Sequence, residues 1–557
     1  MEYSSSCKAI CYLKPVQSKN PRRKGGHAMK KRQGGFAKRS QLRVSTSALL
    51  RTTLFLLVTV VAIVPAFAQT NYVEKYPIFG THEGPYSYAE IDKKDYSGIT
   101  LNAITLAPPV MGGPTILHAK QFEELTGAKI NVVAVPLSQL YAKVMTPFLT
   151  NIGAYDAIIF PPNWSGDIMG GGYLEPLPEK MLKSAQWGEV IQVYRYLQSW
   201  GDKIYGVPID GDKHFLAYRR DAIDAAKYQP KFKEKYGYDL QPPQTWDEYR
   251  DVAEFFNDWD WDGDGEKEYG ASEMTQRDAQ LFWQFIVRAA PYAQHPDVKG
   301  GFFFDVETMT PLINTPGFVK ALEDMIEIQK FYPPGGKNFS LSDVIFSFGG
   351  GQTALHANWD DGFIQAMEKK SPIRNKVNAT MAPGAKKAWN RKTKKWDDFP
   401  DINRAPFLAW GGWITGVPKS SENKEAAFDF LGFLSNNANQ QKDLTVGRYG
   451  VNPYRTNDFN PSFWTEKAGF DPEVAKGYTD ALRNTLDHPN RVFDLRIPGN
   501  QLYVNALATA VSESLAGNMK PQEALDKAAK EWDKITHRVG FDQQKSAYQE
   551  IVNIESK

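Results

Sequence analysis

Two patterns of apolar residues alternate along the chain from residue 99 onward. Residues 99–106, 129–135 and 157–160 are short, largely apolar runs that predict buried strands. Between them, Pro114 is predicted to open one helix and Gly127 to close it, and Ser138 is predicted to cap the next helix. Strand, helix, strand, helix, strand predicts an α/β fold with mostly parallel sheets flanked by helices, in which ligands bind beyond the carboxyl ends of the strands.

Helical spacing of apolar residues returns in the second half of the chain. Residues 424–434, and the segment that Pro521 opens, each place their apolar side chains on one face, which predicts helices that face a core. Residues 69–97 show no clear period and predict an extended N-terminal arm (69–96) ahead of the first strand.

The first 68 residues have the pattern of a basic leader and secretory signal peptide. Basic residues precede an apolar run at residues 53–64, and Ala66-Phe67-Ala68 is a small-x-small cleavage site. The apolar run is about 12 residues long, well under the roughly 20 that span a membrane. We therefore expect cleavage near Ala68 and a soluble protein in a Gram-negative periplasm.

Removal of this leader changes the charge and the cysteine content. The leader holds 13 of the 66 Lys and Arg residues and one of the 64 Asp and Glu residues, so residues 69–557 carry a net charge of about −10. An acidic chain without a basic block argues against nucleic acid as a partner. Cys7 and Cys11 both fall in the leader, which excludes disulfides, thiolate metal sites and cysteine nucleophiles from the mature chain.

The mature chain is too long for one hydrophobic core, since single cores stop growing at roughly 250 to 300 residues. At least two domains are expected. The chain is also rich in Trp, with 14 residues, and in Tyr, with 26. Large cores explain part of this content, and Trp and Tyr are also the side chains that stack on sugar rings.

The usual catalytic motifs do not occur in the sequence. There is no His-Glu-x-x-His, Gly-x-Ser-x-Gly, Walker loop or dinucleotide fingerprint. The run Gly349-Gly350-Gly351 lacks a following Lys-Ser/Thr and predicts a connector. We expect no enzyme activity, although a glycosidase carboxylate pair is defined only by its separation in space, so a carbohydrate-active enzyme stays open.

An acidic loop follows at residues 258–270. Its carboxylates alternate with other residues and its glycines permit a tight turn, a pattern that lets oxygen ligands converge on Ca²⁺. Two registers fit, one beginning at Asp258 with Gly263 sixth and one at Asp260 with Gly265 sixth. The second is preferred and gives as metal ligands Asp260, Asp262, Asp264, the Glu266 carbonyl and Glu268, with a structural role. A solvated acidic turn is the alternative.

Several short motifs then occur in order between residues 172 and 419. They are residues 172–177 (Gly-Tyr-Leu-Glu-Pro-Leu), 203–208 (Lys-Ile-Tyr-Gly-Val-Pro) with Tyr218, 243–249 (Pro-Gln-Thr-Trp-Asp-Glu-Tyr), 351–359 (Gly-Gln-Thr-Ala-Leu through Trp359) and 416–419 (Gly-Val-Pro-Lys). In this order, over residues 97–535, the chain resembles extracellular solute-binding protein family 1, the maltose-binding-protein-like sugar receptors of ABC importers.

The resemblance implies a two-lobed periplasmic binding protein fold, class II-like, with the ligand cleft at the hinge. By analogy the chain crosses between lobes near residues 207–212, 357–359 and 413–417. Lobe 1 is then expected to comprise residues 97–208 plus 358–412, and lobe 2 residues 209–357 plus 413–557. Ligand would stabilise the closed state by contacting both lobes.

The resemblance also implies that aromatic platforms and a few charged groups face the cleft. Trp164 follows the third strand. Most other candidates lie at the crossings, and Arg277 and Asp278 lie in a loop of lobe 2. The candidate ligand-binding residues are Trp164, Asp210, Asp212, His214, Arg277, Asp278, Trp359, Asp360, Trp413 and Arg448. Core packing is the alternative for each Trp and for His214, and binding of backbone amides is the alternative for Asp210 and Asp212.

Three functions remain open on this basis. The preferred one is a monomeric receptor that delivers a sugar or polyol to the transmembrane permease of an ABC importer. The others are a receptor for a different solute, such as a polyamine or peptide, and a periplasmic carbohydrate-active enzyme. No cofactor is expected beyond the structural Ca²⁺.

Overall fold

The computed structural model describes residues 84–278, 280–298 and 300–555, and the predicted signal peptide and its cleavage site lie outside them. In this part of the chain, no helix combines the length and the apolar character needed to cross a membrane.

The strands, numbered in chain order, are β1 Thr100–Leu106, β2 Lys129–Val135, β3 Ala157–Phe160, β4 Ser199–Trp200, β5 Lys203–Ile204, β6 His214–Arg219, β7 Tyr269–Ala271, β8 Thr353–Trp359, β9 Val377–Thr380, β10 Ala385–Asn390, β11 Lys395–Asn403 and β12 Ile414–Gly416. The helices of eight or more residues are Gly112–Thr126, Leu137–Leu149, Gln229–Tyr236, Trp246–Phe255, Gln280–Ala293, Pro316–Ile328, Leu341–Gly349, Lys424–Leu434, Asn437–Leu444, Pro472–Leu486, Asn500–Leu515, Pro521–Val539 and Phe541–Glu555. Shorter α-helices are Tyr88–Ile91, Ser165–Ile168, Glu179–Leu182, Ala185–Gly188, Gln192–Leu197, Arg220–Ile223, Asp361–Ala366 and Pro461–Phe463.

The first sheet has the strand order β12-β3-β1-β2. β1 pairs in parallel with β2 and β3, as the alternation of strands and helices predicts, and β12 joins antiparallel to β3. Gly127 ends the first long helix in a left-handed conformation (φ 72°), which fits its predicted role because glycine lacks the Cβ that disfavours this region. The next helix begins at Leu137, so Ser138 lies inside it and is not its cap.

The second sheet has the order β7-β8-β6-β9 and is mixed. β7 and β8 are parallel, but β6 runs antiparallel to both β8 and β9. The prediction of mostly parallel sheets is therefore confirmed for the first sheet and wrong for the second. The reason is that β6 enters its sheet from the first crossing, without the preceding strand and helix that set a parallel direction.

The membership of the two sheets changes the expected lobe boundaries. β9, within residues 358–412, belongs to the second sheet, whereas β12, within residues 413–557, belongs to the first. The end of β8 pairs with β6 inside the second sheet, so residues 357–359 are not a crossing. The chain crosses between the lobes at residues 207–213, 410–414 and 450–453, and these three segments lie beside one another. Ile209 N–H of the first segment donates to the Trp413 carbonyl of the second, and Asn452 N–H of the third donates to the Asp210 side chain of the first.

Two peripheral segments are also ordered. The part of the predicted extended arm from residue 84 onward contains the helix Tyr88–Ile91, and Tyr86 and Tyr88 are buried against the Lys424–Leu434 helix region, so this part is packed rather than extended. The basic segment at 386–398 forms the β10–β11 hairpin, in which Trp389 and Trp396 contact each other across the strands at 5.8 Å.

Candidate functional site

A cavity of about 380 Å³ lies between the two sheets, next to the crossings. Both lobes contribute to it: the first lobe through the loop after β1, the second through the ends of β8 and of two helices. Its lining residues are Leu106, Pro109, Val110, Leu137, Asp212, Gln280, Leu341, Ser342, Ile345, Phe346, Trp359, Asp361, Gln365, Glu368, Trp410, Trp413, Arg448 and Gly450. This position between lobes is where a closing two-lobed protein holds a ligand.

Three tryptophans form one wall of the cavity. Trp410 contacts Trp359 at 5.2 Å and Trp413 at 5.5 Å between ring centroids. The two glycines between Trp410 and Trp413 have φ of 70° and 92°, and a Cβ on Gly412 would come within 2.0 Å of the Asp210 carbonyl oxygen. Only glycine allows the two crossings to approach this closely and to present Trp410 and Trp413 together.

Behind this wall, Trp283 packs on Trp410 at 5.0 Å and donates its indole N–H to Asp494 at 2.6 Å. Trp359 donates its own N–H to Gln280 at 3.1 Å. These bonds fix the ring planes of the wall before any ligand arrives, which reduces the entropy lost on binding.

Four aspartates surround one buried lysine at the base of the cavity. Lys213 and Asp360 are both fully buried and form an ion pair, and Lys213 also donates to the Gly211 carbonyl at 2.7 Å. The Asn452 side chain donates to Asp212 at 2.8 Å and to Asp361 at 2.6 Å. This network joins the first crossing, the end of β8 and the third crossing, so it couples the hinge to the cavity.

Burial and mutual repulsion raise the pKa values of these carboxyl groups. Burial raises the pKa of Asp361 to about 7, and the charge of Asp360 adds to the effect. Burial also raises the pKa values of Asp210 and Asp212 well above the usual range, and the charges of the neighbouring aspartates add to both shifts. For Asp360, burial raises the pKa and Lys213 opposes the shift. Asp361 therefore exchanges its proton near neutral pH, so this carboxyl group can accept a hydrogen bond when ionised and donate one when protonated.

Four predicted ligand-binding residues line the cavity: Asp212, Trp359, Trp413 and Arg448. Asp360 does not, because it turns inward to Lys213, and its neighbour Asp361 faces the cavity instead.

Three further candidates are packed away from the cavity. Trp164 is buried against Tyr141 at 5.1 Å. Asp210 accepts the Asn452 backbone N–H at 2.6 Å, which is the structural role considered for it from the sequence. His214 is fully buried, with its ring 4.3 Å from Trp359, and burial lowers its pKa to about 3, so it is neutral.

The two candidates from the lobe 2 loop also have other partners. Arg277 forms a surface ion pair with Glu513 at 3.2 Å, and Asp278 accepts the Gln280 backbone N–H at 2.8 Å at the start of a helix. Gln280 itself lines the cavity and was missed, as were Gln365, Glu368 and Asp361. Trp410 also lines the cavity and was not among the candidates; it lies three residues before the candidate Trp413, and Asp361 directly follows the candidate Asp360.

The acidic loop has the geometry expected for its second register. Asp260, Asp262, Asp264 and Glu268 each place one carboxylate oxygen within 4.8 Å of the others. Asp258, the first position of the other register, lies outside this group and pairs with Lys267 at 2.9 Å. The side chain of Glu266 is not in the group, and its carbonyl stays a predicted ligand. Four carboxylates fit a hard cation such as Ca²⁺, and the metal stays a prediction.

A larger groove of about 900 Å³ runs between the helices Asn500–Leu515 and Pro521–Val539. It lies on one lobe, away from the crossings, and its rim is formed by lysines and glutamates on successive helical turns. A ligand there would contact one lobe only and would not favour closure.

Comparison with known proteins agrees with this architecture. A family model described as bacterial extracellular solute-binding protein matches residues 118–472. A probable amino-acid ABC transporter periplasmic-binding protein of Sinorhizobium fredii is 20% identical over 350 residues, 61% of this chain and 70% of that protein.

Two solved structures share the fold. The solute-binding protein of Agrobacterium radiobacter K84 in complex with ribitol has a TM-score of 0.62 at 23% identity, over 79% of this chain and 100% of that one. The solute-binding protein of Agrobacterium vitis S4 with bound D-mannitol has a TM-score of 0.60 at 18% identity, over 80% and 99%.

Proposed function

The chain belongs to the family of bacterial extracellular solute-binding proteins, and from this premise we propose that it is the receptor of an ABC importer that captures a sugar or polyol between its lobes. It binds the solute in the cavity beside the crossings and releases it unchanged to a transmembrane permease. The export signal at residues 1–68 would deliver it to the periplasm after cleavage near Ala68.

The observation that carries this proposal is the pairing of an aromatic wall with a hydrogen-bonding base. Trp359, Trp410 and Trp413 offer apolar faces on which the C–H face of a polyol packs, while Asp212 and Asp361 accept hydrogen bonds from its hydroxyl groups. Similar proteins whose structures hold ribitol and D-mannitol support a solute of this class.

A cationic solute such as a polyamine is the second candidate, because the lining contains Asp212, Asp361 and Glu368 against the single cation Arg448. Ammonium groups favour both carboxylates and tryptophan faces. Salt separates the two candidates: affinity for a polyamine falls steeply with ionic strength, whereas affinity for a neutral polyol does not.

The test is thermal melting of residues 69–557 with ribitol, mannitol, tagatose and maltose, and with amino acids and polyamines. One polyol or sugar class is expected to raise the melting temperature, since a ligand at one hundred times its Kd stabilises by about 2.7 kcal/mol. The ligand should be recovered chemically intact. A shift only with polyamines or amino acids, or consumption of the ligand, would refute the proposal.

We also propose that the acidic loop binds a structural Ca²⁺. Its carboxylates repel one another without a cation, and Asp262 is linked to the core through Arg219 at 3.1 Å, so the ion would stabilise the second lobe. Chelation with EGTA should lower the melting temperature and added Ca²⁺ should restore it. Equal melting curves with and without EGTA would refute this claim.

A further inference from the structure

A second cavity, of about 410 Å³, adjoins the solute cavity, and Glu368 and Arg448 line both. Segments from both lobes enclose it: residues 364–374 and 464–470 on the side of the second sheet, and residues 442–448 on the side of the first. The segments approach closely, because a Cβ on Gly447 would lie 2.8 Å from the Ile364 carbonyl oxygen.

The lining of this cavity is strongly basic. Its charged members are the six cations Lys369, Lys370, Arg374, Lys442, Arg448 and Lys467 and one carboxylate, Glu368. Among residues 84–278, 280–298 and 300–555, no ion pair engages Lys369, Lys370 or Lys467. The floor is apolar and includes the fully buried Trp464.

Arg374 is held rigidly at the wall without being neutralised. Its guanidinium donates to the carbonyls of Ala468 at 2.7 Å, Gly469 at 2.8 Å and Met367. Carbonyl oxygens fix the position of the guanidinium but carry no net charge. Glu368 accepts the Arg448 backbone N–H at 2.9 Å, so the only carboxylate is partly engaged.

Cations gathered around one cavity repel one another unless a counter-ion lies among them. Lys and Arg side chains form strong, charge-assisted hydrogen bonds with carboxylate and phosphate oxygens. We propose that this cavity binds a small oxyanion of the phosphate or sulfate type, either free or as a substituent of the solute in the adjoining cavity. Since its cations come from both lobes, the bound oxyanion favours the arrangement in which they converge.

Inorganic phosphate is the probe for the test. Thermal melting is followed against phosphate concentration, with NaCl adjusted to keep the ionic strength constant. A saturable rise in melting temperature is expected for the wild-type protein. In the double variant Lys370→Gln/Lys467→Gln, half-saturation should require several-fold more phosphate, because both lysines are exposed and solvent screens each contact.

The matched control is Lys392→Gln/Lys394→Gln, on the exposed turn of the β10–β11 hairpin, which removes the same charge from residues that do not line the cavity. It should respond to phosphate as the wild type does. An equal rise with NaCl alone, or an equal loss of response in both double variants, would overturn the proposal.

Competition with phosphate shows whether the oxyanion is a free ion or a substituent of the solute. If the oxyanion is a substituent of the solute, mannitol 1-phosphate displaces phosphate and binds at least tenfold more tightly than mannitol. If it is a free ion, phosphate stays bound when mannitol is added. Phosphate binding is measured without any solute, so its failure is distinct from a failure of the proposed polyol function.

Discussion

Replacement of Lys213 by Met tests the buried charge network on which the cavity rests. Lys213 and Asp360 have no exposed side-chain surface, so the substitution leaves a carboxylate buried without its cation. Removing one partner of such a pair costs about 3–5 kcal/mol. The Gly211 carbonyl keeps a donor, the Tyr194 hydroxyl at 2.7 Å, so the loss is assigned to Asp360 and not to the carbonyl.

The sign of the pH dependence follows from the raised pKa of Asp360. A carboxyl whose folded-state pKa lies above its unfolded value of 3.8 destabilises the protein most at high pH, and this cost shrinks as the pH falls through the folded pKa. Without Lys213 the folded pKa rises further. The destabilisation relative to the wild type should therefore decrease by about 1.4 kcal/mol for each pH unit below the folded pKa of the variant, and stop changing below the folded pKa of the wild type.

The assay is chemical denaturation of the wild type and of Lys213→Met at pH 5 and pH 8. The double variant Lys213→Met/Asp360→Asn is the control and should recover at least half of the lost stability, because it removes the buried charge along with its partner. A loss below about 1 kcal/mol, or a loss that grows as the pH is lowered, would refute the electrostatic account.

Three further predictions concern the cavity and the loop. Trp413→Ala and Trp532→Ala should each lower the free energy of unfolding by about 3–5 kcal/mol. Only Trp413→Ala should abolish the solute-induced rise in melting temperature, since Trp532 is in the core of a helix pair. Equal rises in both variants would contradict the role of the aromatic wall. Solute affinity, measured by calorimetric titration, should fall by up to about tenfold per pH unit as the pH drops below about 7, the pKa of Asp361. The reason is that the ionised carboxylate accepts the hydrogen bonds from the solute hydroxyl groups. The variant Asp361→Asn should therefore show a flatter dependence of affinity on pH. Asp264→Asn should remove the EGTA sensitivity of melting, and an unchanged sensitivity would show that the ion lies elsewhere.

The first βαβαβ unit could be read from the sequence almost residue by residue. Its strands are largely apolar runs and its first helix is closed by Gly127, so local pattern and tertiary fold agree there, although Ser138 does not cap the second helix. The same is true of the Lys424–Leu434 helix, whose bounds match the predicted ones.

The lobe boundaries could not be predicted from the sequence because they depend on which sheet a short strand joins. β12 has three residues and β9 four, and nothing in either run says whether its partner is β3 or β6. The mixed second sheet was missed for the same reason.

Of the ten candidate ligand-binding residues, four line the cavity between the lobes. Asp360 and Asp361 are adjacent, yet one pairs with Lys213 inside the protein and the other faces the cavity. The ion pair with Lys213 determines which of the two aspartates turns inward, and no local sequence pattern indicates that Lys213 is buried. Gln280 lies in a loop-to-helix junction that the motifs did not reach.

The most direct test of the central claim is a crystal structure of residues 69–557 with the solute that gives the largest melting shift. The solute is expected to lie in the cavity between the lobes, packed on Trp410 and Trp413, with its hydroxyl groups bonded to Asp212 and Asp361. A solute found elsewhere, for example in the groove between Asn500–Leu515 and Pro521–Val539, would contradict it.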